Sequence, residues 1–438
     1  MRKALALSIA ATWTFFMVSS LAAQLAAPQI DVITVKGVIN PIVSGYVARG
    51  IRTAESDGAA ALVVRMDTPG GLDTSMREII QSILESKVPV IVYVWPQGGR
   101  AASAGVFISY ASHVAAMAPN TNIGAAHPVA LGGSPTGADQ QQTDSTMTEK
   151  VTNDAVAYIK GIATERGRNA EWAEKAVRES VSVTSAEAKK LGVVELVASD
   201  LPDLLSQLDG REVRLPGGKV TLRTEGAVIR QMDMGPIEQF LLTISDPNIA
   251  FLLLSLAVTA LLIEFSNPGT ILPGVIGGIS LFLALFSLGM LPVNYAAVGL
   301  IFLAFILFIL EVKITSFGML TVGGVVSMTL GALLLVNSAS PDLQVSRPLI
   351  ASVVLGTAAA FYFVIRAARR AHVRIPTTGR EGLMGHTAVS RSDLDPEGYV
   401  LVEGESWSAV AEDGPIPAGE PVVVVAKEGF KLRVRKKL

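Results

Sequence analysis

Between residues 29 and 208, short β-branched runs alternate with stretches whose apolar positions recur at three- and four-residue spacing. Residues 30–38, 61–66, 90–94 and 113–118 read as strands, and 42–54, 74–86, 102–111, 150–165 and 169–179 as helices. This β-α-β-α order implies a mostly parallel sheet buried on both faces, since each parallel return needs a crossover. Sites on such sheets form beyond the carboxyl ends of strands, where Thr68-Pro69-Gly70-Gly71 and the turn 96–99 both fall. Residues 132–145, rich in Gly, Ser, Thr, Gln and Asp, read as a polar loop. Further on, Thr184 and Glu187 have the spacing of a helix capping box, Gly192 ends that helix, and 193–197 reads as a last strand.

After Asp246-Pro247 the alternation gives way to five apolar segments, 249–265, 271–291, 296–310, 317–336 and 349–365. The connections between the first four are so short that neighbouring segments must run antiparallel. Gly277-Gly278 and Gly323-Gly324 either allow close helix contact or are simply tolerated. Arg366, Arg369, Arg370 and Arg374 follow the fifth segment and mark that side as cytoplasmic. At the other end, Met1-Arg2-Lys3, an apolar run over 4–21 and small residues before Gln24 form a secretory signal pattern, with cleavage after Ala22 or Ala23; a retained anchor is the alternative. Either way the next domain lies outside the cytoplasm, which an odd number of crossings matches. Short strands at 399–403, 406–411, 421–426 and 431–434 then suit a small five-stranded barrel of the OB type. The expected domains are a signal peptide (1–23), an α/β domain (24–230), a helical membrane domain (247–366) and the barrel (377–438).

Composition supports membrane insertion: 50% of residues are hydrophobic and 17% charged, too apolar for an average soluble protein. The absence of Cys excludes thiolate catalysis and Cys-ligated metals, and four His without HExxH spacing leave little for a metal site. No cofactor is expected. A net charge of −2 gives no bias toward nucleic acid, and the barrel region lacks an aromatic stacking platform.

The chemistry concentrates in Gly98-Gly99-Arg100-Ala101-Ala102-Ser103-Ala104-Gly105. A serine flanked by small residues leaves room for a substrate backbone, and a Gly-Gly turn can aim N–H groups at an oxyanion. Ser103 is the candidate nucleophile and Lys150 the candidate base. The oxyanion hole is expected from the N–H groups of Gly71 and Ala104, with Gly70 shaping the turn. A lysine base must be neutral, which calls for burial away from carboxylates, so Glu149 must point elsewhere. His127 is the alternative base. His113 opens an apolar strand and reads as structural. Ser109, Ser112 and Asp67 lie nearby without a motif that promotes them.

These motifs resemble those of the long-form NfeD family of membrane-bound serine proteases, related to signal peptide peptidase SppA and to ClpP. Arg100-Ala101-Ala102-Ser103-Ala104-Gly105 is similar to the family's nucleophile motif. Lys150-Val151-Thr152-Asn153 with Ala157-Tyr158-Ile159-Lys160 is similar to its lysine motif, and Gly404-Glu405-Ser406-Trp407-Ser408-Ala409 with Gly419-Glu420-Pro421-Val422 to its OB domain. The loop over 132–149 is longer than the family pattern. The resemblance implies a ClpP/crotonase-like α/β domain, an endopeptidase with a Ser–Lys dyad, and hydrophobic peptide segments as substrate. It also implies a homo-oligomer in the lipid bilayer of an inner membrane and a stomatin- or prohibitin-like (SPFH) partner. A scaffold that assembles such partners without proteolysis is the competing reading.

Overall fold

The computed structural model of the chain describes residues 27–128, 138–266, 269, 271–291, 293–314, 316–336, 344–373 and 383–437. The expected signal peptide, Arg374 and residues 132–137 of the polar loop lie outside the described residues. The chain divides into two units, one running through Leu310 and including Ser316–Thr357, the other joining Glu311–Thr315 to Ala358–Leu438.

In the first unit the strands β1 (Gln29–Lys36), β2 (Ala61–Asp67), β3 (Val90–Val94), β5 (Val114–Met117), β8 (Leu196–Val197) and β11 (Val228–Gln231) form one sheet in the order β11-β1-β2-β3-β5-β8. Every pairing in it is parallel. Alternate residues serve opposite faces, which is why the strands read as continuous apolar runs. Ile33, Val35, Val64 and Val92 pack on one face beneath α1 (Pro41–Asp57), α2 (Asp73–Glu85), α3 (Ala104–Ala111), α4 (Ala138–Arg166) and α5 (Ala170–Arg178). Ile30, Val32, Val63 and Ile91 pack on the other against α7 (Leu201–Leu208). Each fully buried side chain of this kind contributes roughly 1.5–3 kcal/mol relative to exposure. Asn40 caps α1 by accepting from Val43 N at 3.0 Å. The capping box opens α6 (Ser185–Lys190): Thr184 N donates to Glu187 Oε2 at 3.0 Å, and Glu187 N to Thr184 Oγ1 at 3.4 Å.

Three differences from the sequence pattern concern the site. Residues 100–102 form a short strand, β4 (Arg100–Ala102), which with β6 (Asn122–Gly124) and β7 (Ser182–Thr184) makes a second small sheet. A helix therefore does not begin at Ala102; Ser103 stands between β4 and α3. α4 starts at Ala138, so much of the expected polar loop is helical, in keeping with a stretch that has no Gly or Pro beyond Gly137 to interrupt it. Lastly, β8 covers only Leu196–Val197, because Val193 and Val194 are buried without joining the sheet. A hairpin of β9 (Glu212–Leu215) and β10 (Gly218–Thr221) leads to β11 and α8 (Pro236–Ile244).

The apolar segments form α9 (Pro247–Ser266), α10 (Leu272–Gly289), α11 (Tyr295–Lys313), α12 (Met319–Leu334) and α13 (Arg347–Val373). Among the described residues, Pro247–Phe265 and Leu272–Gly289 are long and apolar enough to cross a membrane, while Tyr295–Glu311, Met319–Leu334 and Arg347–Phe363 are shorter apolar stretches. One glycine of each pair sits at a close contact. A Cβ on Gly277 would lie 2.8 Å from Leu261 Cγ and one on Gly324 would lie 2.7 Å from Phe308 Cε1, whereas Gly278 faces open space.

In the second unit, β12 (Thr387–Ser390), β13 (Glu397–Val402), β14 (Glu405–Ala411), β15 (Pro421–Glu428) and β16 (Lys431–Lys436) close a barrel in the order β12-β13-β14-β16-β15. Val400, Val402, Ala409, Val422, Val424, Leu432 and Val434 fill its interior.

Candidate active site

The site is built where three connections meet at the carboxyl edge of the main sheet. β2 ends at Asp67 and the chain turns through Thr68–Gly71. Thr68 is fully buried; its Oγ1 accepts from Gly70 N at 3.0 Å and lies 3.1 Å from Gly70 O, which staples the turn. Thr68 also bridges to Ala101, which brings the turn beside β4. On its other side, Ile39 N donates to Gly70 O and Leu72 N to Ile39 O, both at 2.9 Å. In this parallel bridge the N–H of Gly71 is directed away from Ile39. Only glycine fits at Gly71, since a Cβ there would lie 2.0 Å from Ile39 O.

Ser103 follows β4 with φ 51° and ψ −113°, a conformation that L-residues rarely adopt. It is held by Ser103 N donating to Gly124 O at 3.2 Å and by Val106 N donating to Ser103 O at 3.0 Å. Ser103 occupies the cap position of α3, yet its side chain makes no capping hydrogen bond, and Ala104 opens the helix with an N–H that has no intrahelical partner. Gly70 packs directly on the serine: a Cβ at this position, where φ is 117°, would lie 2.6 Å from Ser103 Cβ and 3.1 Å from its Oγ.

Ser103, Gly71 and Lys150 line one cavity of about 990 Å³. Its walls include Leu72, Phe107, Ala126, Val151 and Ala155, with Lys36, Asp67 and Arg100 at the polar part. Leu242, Ser245, Pro247, Met290 and Leu291, from α8 and the ends of the first two membrane helices, complete it. Lys150 projects from α4 and is exposed rather than buried, as is Glu149. The expectation of a buried lysine is thus corrected: its turn of α4 is held out toward the cavity, with Thr152, Ala155 and Val156 taking the inward positions. Arg77 links the two helices, reaching Asp73 on α2 at 2.8 Å and Asp154 on α4 at 2.5 Å while stacked 4.5 Å over the Tyr158 ring.

His127 is half-buried, with Nδ1 2.8 Å from Val177 O, so Nδ1 carries the proton; its neighbours Ala126 and Pro128 line the cavity. His113 is buried and accepts from Val90 N at 3.0 Å through Nδ1. Burial, with the charge of Arg166, pushes it from 6.5 down to about 3, so it is a neutral structural residue. Ser109 and Ser112 donate to Gly105 O and Ser109 O within α3 and its end, and Asp67 accepts from Arg100 N at 3.0 Å. Among the described residues no group of His, Asp and Glu could hold a metal ion.

The sequence pattern gave no role to Arg168. Its guanidinium is buried against the end of α3, donating to the carbonyls of Ser109, Tyr110 and Ser112 at 3.1, 2.6 and 3.0 Å and pairing in bidentate fashion with Glu195 at 2.8 Å. Nothing local signals this, because the partners are brought together only by the fold.

An α/β domain with a serine-bearing turn at its sheet edge, followed by apolar helices and a closed barrel, defines a multidomain membrane protein. The chain belongs to the NfeD family. It matches the NfeD1b N-terminal domain over residues 29–215, the NfeD integral membrane domain over 248–366, and the NfeD-like C-terminal, partner-binding domain over 380–436. It is 38% identical over 414 residues to the membrane-bound protease PH1510 of Pyrococcus horikoshii, covering 92% of each chain. Two solved structures are similar in part. One is a lysine-to-alanine variant of the 1510-N membrane-bound stomatin-specific protease with a substrate peptide, 38% identical with a TM-score of 0.44, covering 50% of this chain and 97% of that one. The other is a serine-to-alanine variant of the same protease, also 38% identical with a TM-score of 0.44, covering 48% and 100%.

Proposed function

We propose that this protein is a membrane-bound serine endopeptidase in which Ser103 is the nucleophile and Lys150 the general base. The observation that carries the reading is the meeting of Ser103, in its positive-φ junction, with the Gly70–Gly71 turn and Lys150 around one cavity. In the proposed reaction Lys150 Nζ takes the proton of Ser103 Oγ as the oxygen attacks the peptide carbonyl. The N–H groups of Gly71 and Ala104 receive the oxyanion, and the lysine then protonates the leaving amine. Water, activated by the same base, releases the acyl group. Lys150 is exposed in the free protein, so the water exclusion that this chemistry needs comes with the bound peptide. His127 is the alternative base.

The α/β domain is proposed to be of the ClpP/crotonase type and the barrel of the OB type, with domains at 24–230, 247–366 and 377–438 behind a signal peptide at 1–23. A relative that is a membrane-bound protease supports proteolysis, and a C-terminal domain described as partner-binding supports a partner, which we take to be stomatin-like, with hydrophobic segments as the proposed substrate. Homo-oligomerisation and a role in membrane protein quality control belong to the same reading. The exposure of Lys150 favours one rival, a scaffold that assembles such partners without cutting them. A fluorophosphonate probe applied to the full chain in nanodiscs separates the two. Covalent labelling at Ser103 is expected; an unlabelled, folded protein would reject the protease in favour of the scaffold.

A further inference from the structure

Helix α8 (Pro236–Ile244) precedes the first membrane helix; its Ile237 and Phe240 form an apolar flank that the described residues leave exposed, while Ile244 at its end is buried. At 100° per residue, Ile237, Phe240, Leu241 and Ile244 share one arc, while Gln239 and Thr243 stand on the next. Ile237 is 75% exposed and Phe240 52%. The helix cannot roll to hide them, because its opposite flank is fastened. Arg49 Nε and Nη2 donate to the Glu238 carboxylate at 2.9 and 2.7 Å, and Leu242 packs against the main core. α8 is broken from α9 at Ser245–Asp246, where Asp246 Oδ1 accepts from Asn248 N at 2.8 Å.

We infer that α8 is an interfacial helix whose Ile237 and Phe240 flank is seated in the lipid bilayer, at the boundary between headgroups and acyl chains. Continuity names the occupant, since the integral membrane domain begins at residue 248, only a few residues beyond the end of α8. α8 carries no basic residue and its acidic Glu238 is turned to Arg49, so apolar burial rather than attraction to anionic lipid holds it there. The same helix contributes Leu242 to the cavity that holds Ser103. The cavity therefore opens within about one helix diameter, roughly 10–12 Å, of the bilayer, a placement that does not depend on the site being proteolytic.

The chain contains no Cys, which allows single nitroxide labels on Ile237→Cys, Phe240→Cys, Gln239→Cys and Thr243→Cys in the full chain. In nanodiscs of phosphatidylcholine, with and without phosphatidylglycerol, collision with oxygen and with a polar nickel chelate is read by power saturation. The oxygen-to-nickel ratio is expected to be several-fold higher at 237 and 240 than at 239 and 243, in both lipid mixtures. Equal ratios at all four positions would place the flank in water and overturn the inference. Low collision with both reagents at 237 and 240, with dipolar broadening between labels, would assign the flank to a second copy and overturn it equally.

Discussion

Ser103 holds a backbone conformation that costs about 1–3 kcal/mol for a non-glycine residue, and it is kept there by Gly124 O, the first turn of α3 and the Gly70 contact. Strain retained at such a point suits a side chain that must be presented rather than packed. Ser103→Ala should abolish fluorophosphonate labelling and lower peptide cleavage by roughly three orders of magnitude or more, with thermal stability unchanged. Lys150→Ala should be nearly as damaging, and His127→Ala should stay within about one order of magnitude of the parent in the same cleavage assay. The reverse ranking would move the base to His127. Gly71→Ala is expected to behave differently from both, losing activity and stability together, because its Cβ would collide with Ile39 O rather than alter a hydroxyl. Parallel assays of cleavage and melting distinguish the two patterns.

α3 is short, and its far end is held by Arg168. Arg168→Ala would strip three carbonyl contacts and leave Glu195 without its bidentate partner, so a loss of about 3–5 kcal/mol in denaturant unfolding is expected. The Arg168 side chain is only 1% exposed, so water cannot replace those bonds. At the start of β5, His113 is neutral with its titration pushed from 6.5 down to about 3, chiefly by burial. Between those values the unfolded chain binds the extra proton and the folded one does not, so stability falls as pH drops from 6.5 toward 3. His113→Asn, which can still accept from Val90 N, should flatten that limb relative to the parent in melting temperature measured against pH.

For the whole chain, a reporter fused after Leu438 should be cytoplasmic and one inserted at Gly137 should be exported. In that reading the expected signal peptide would export the α/β domain, five crossings would reverse the side, and the Arg-rich segment after the fifth would hold that end inside. Reporters on the same side would refute an odd number of crossings. The helices to reassess first would then be the shorter apolar ones, Tyr295–Glu311 and Met319–Leu334.

Strong local patterns carried much of this architecture. The β-branched runs at β1, β2 and β3, the Thr184–Glu187 box and the five apolar segments all announce themselves within a few turns of chain, since periodicity and capping are local chemistry. The serine motif and the Gly-Gly turn were legible for the same reason. The three-residue strands β4, β6 and β7 were not, because so few residues carry no period and form only when Thr68, Gly124 and Val183 are already in place. Nor does any pattern state that Arg230 of β11 pairs with Asp31 of β1, 199 residues away. Local pattern alone marked the longer strands and helices, the membrane-seeking stretches and the residues that could perform acyl transfer. Folding at long range decided that Gly70 presses on Ser103, that Lys150 reaches the same cavity yet stays exposed, and that α8 and the membrane helices close its rim. Contacts between distant segments depend on how whole elements pack, and side-chain patterns encode that packing only collectively.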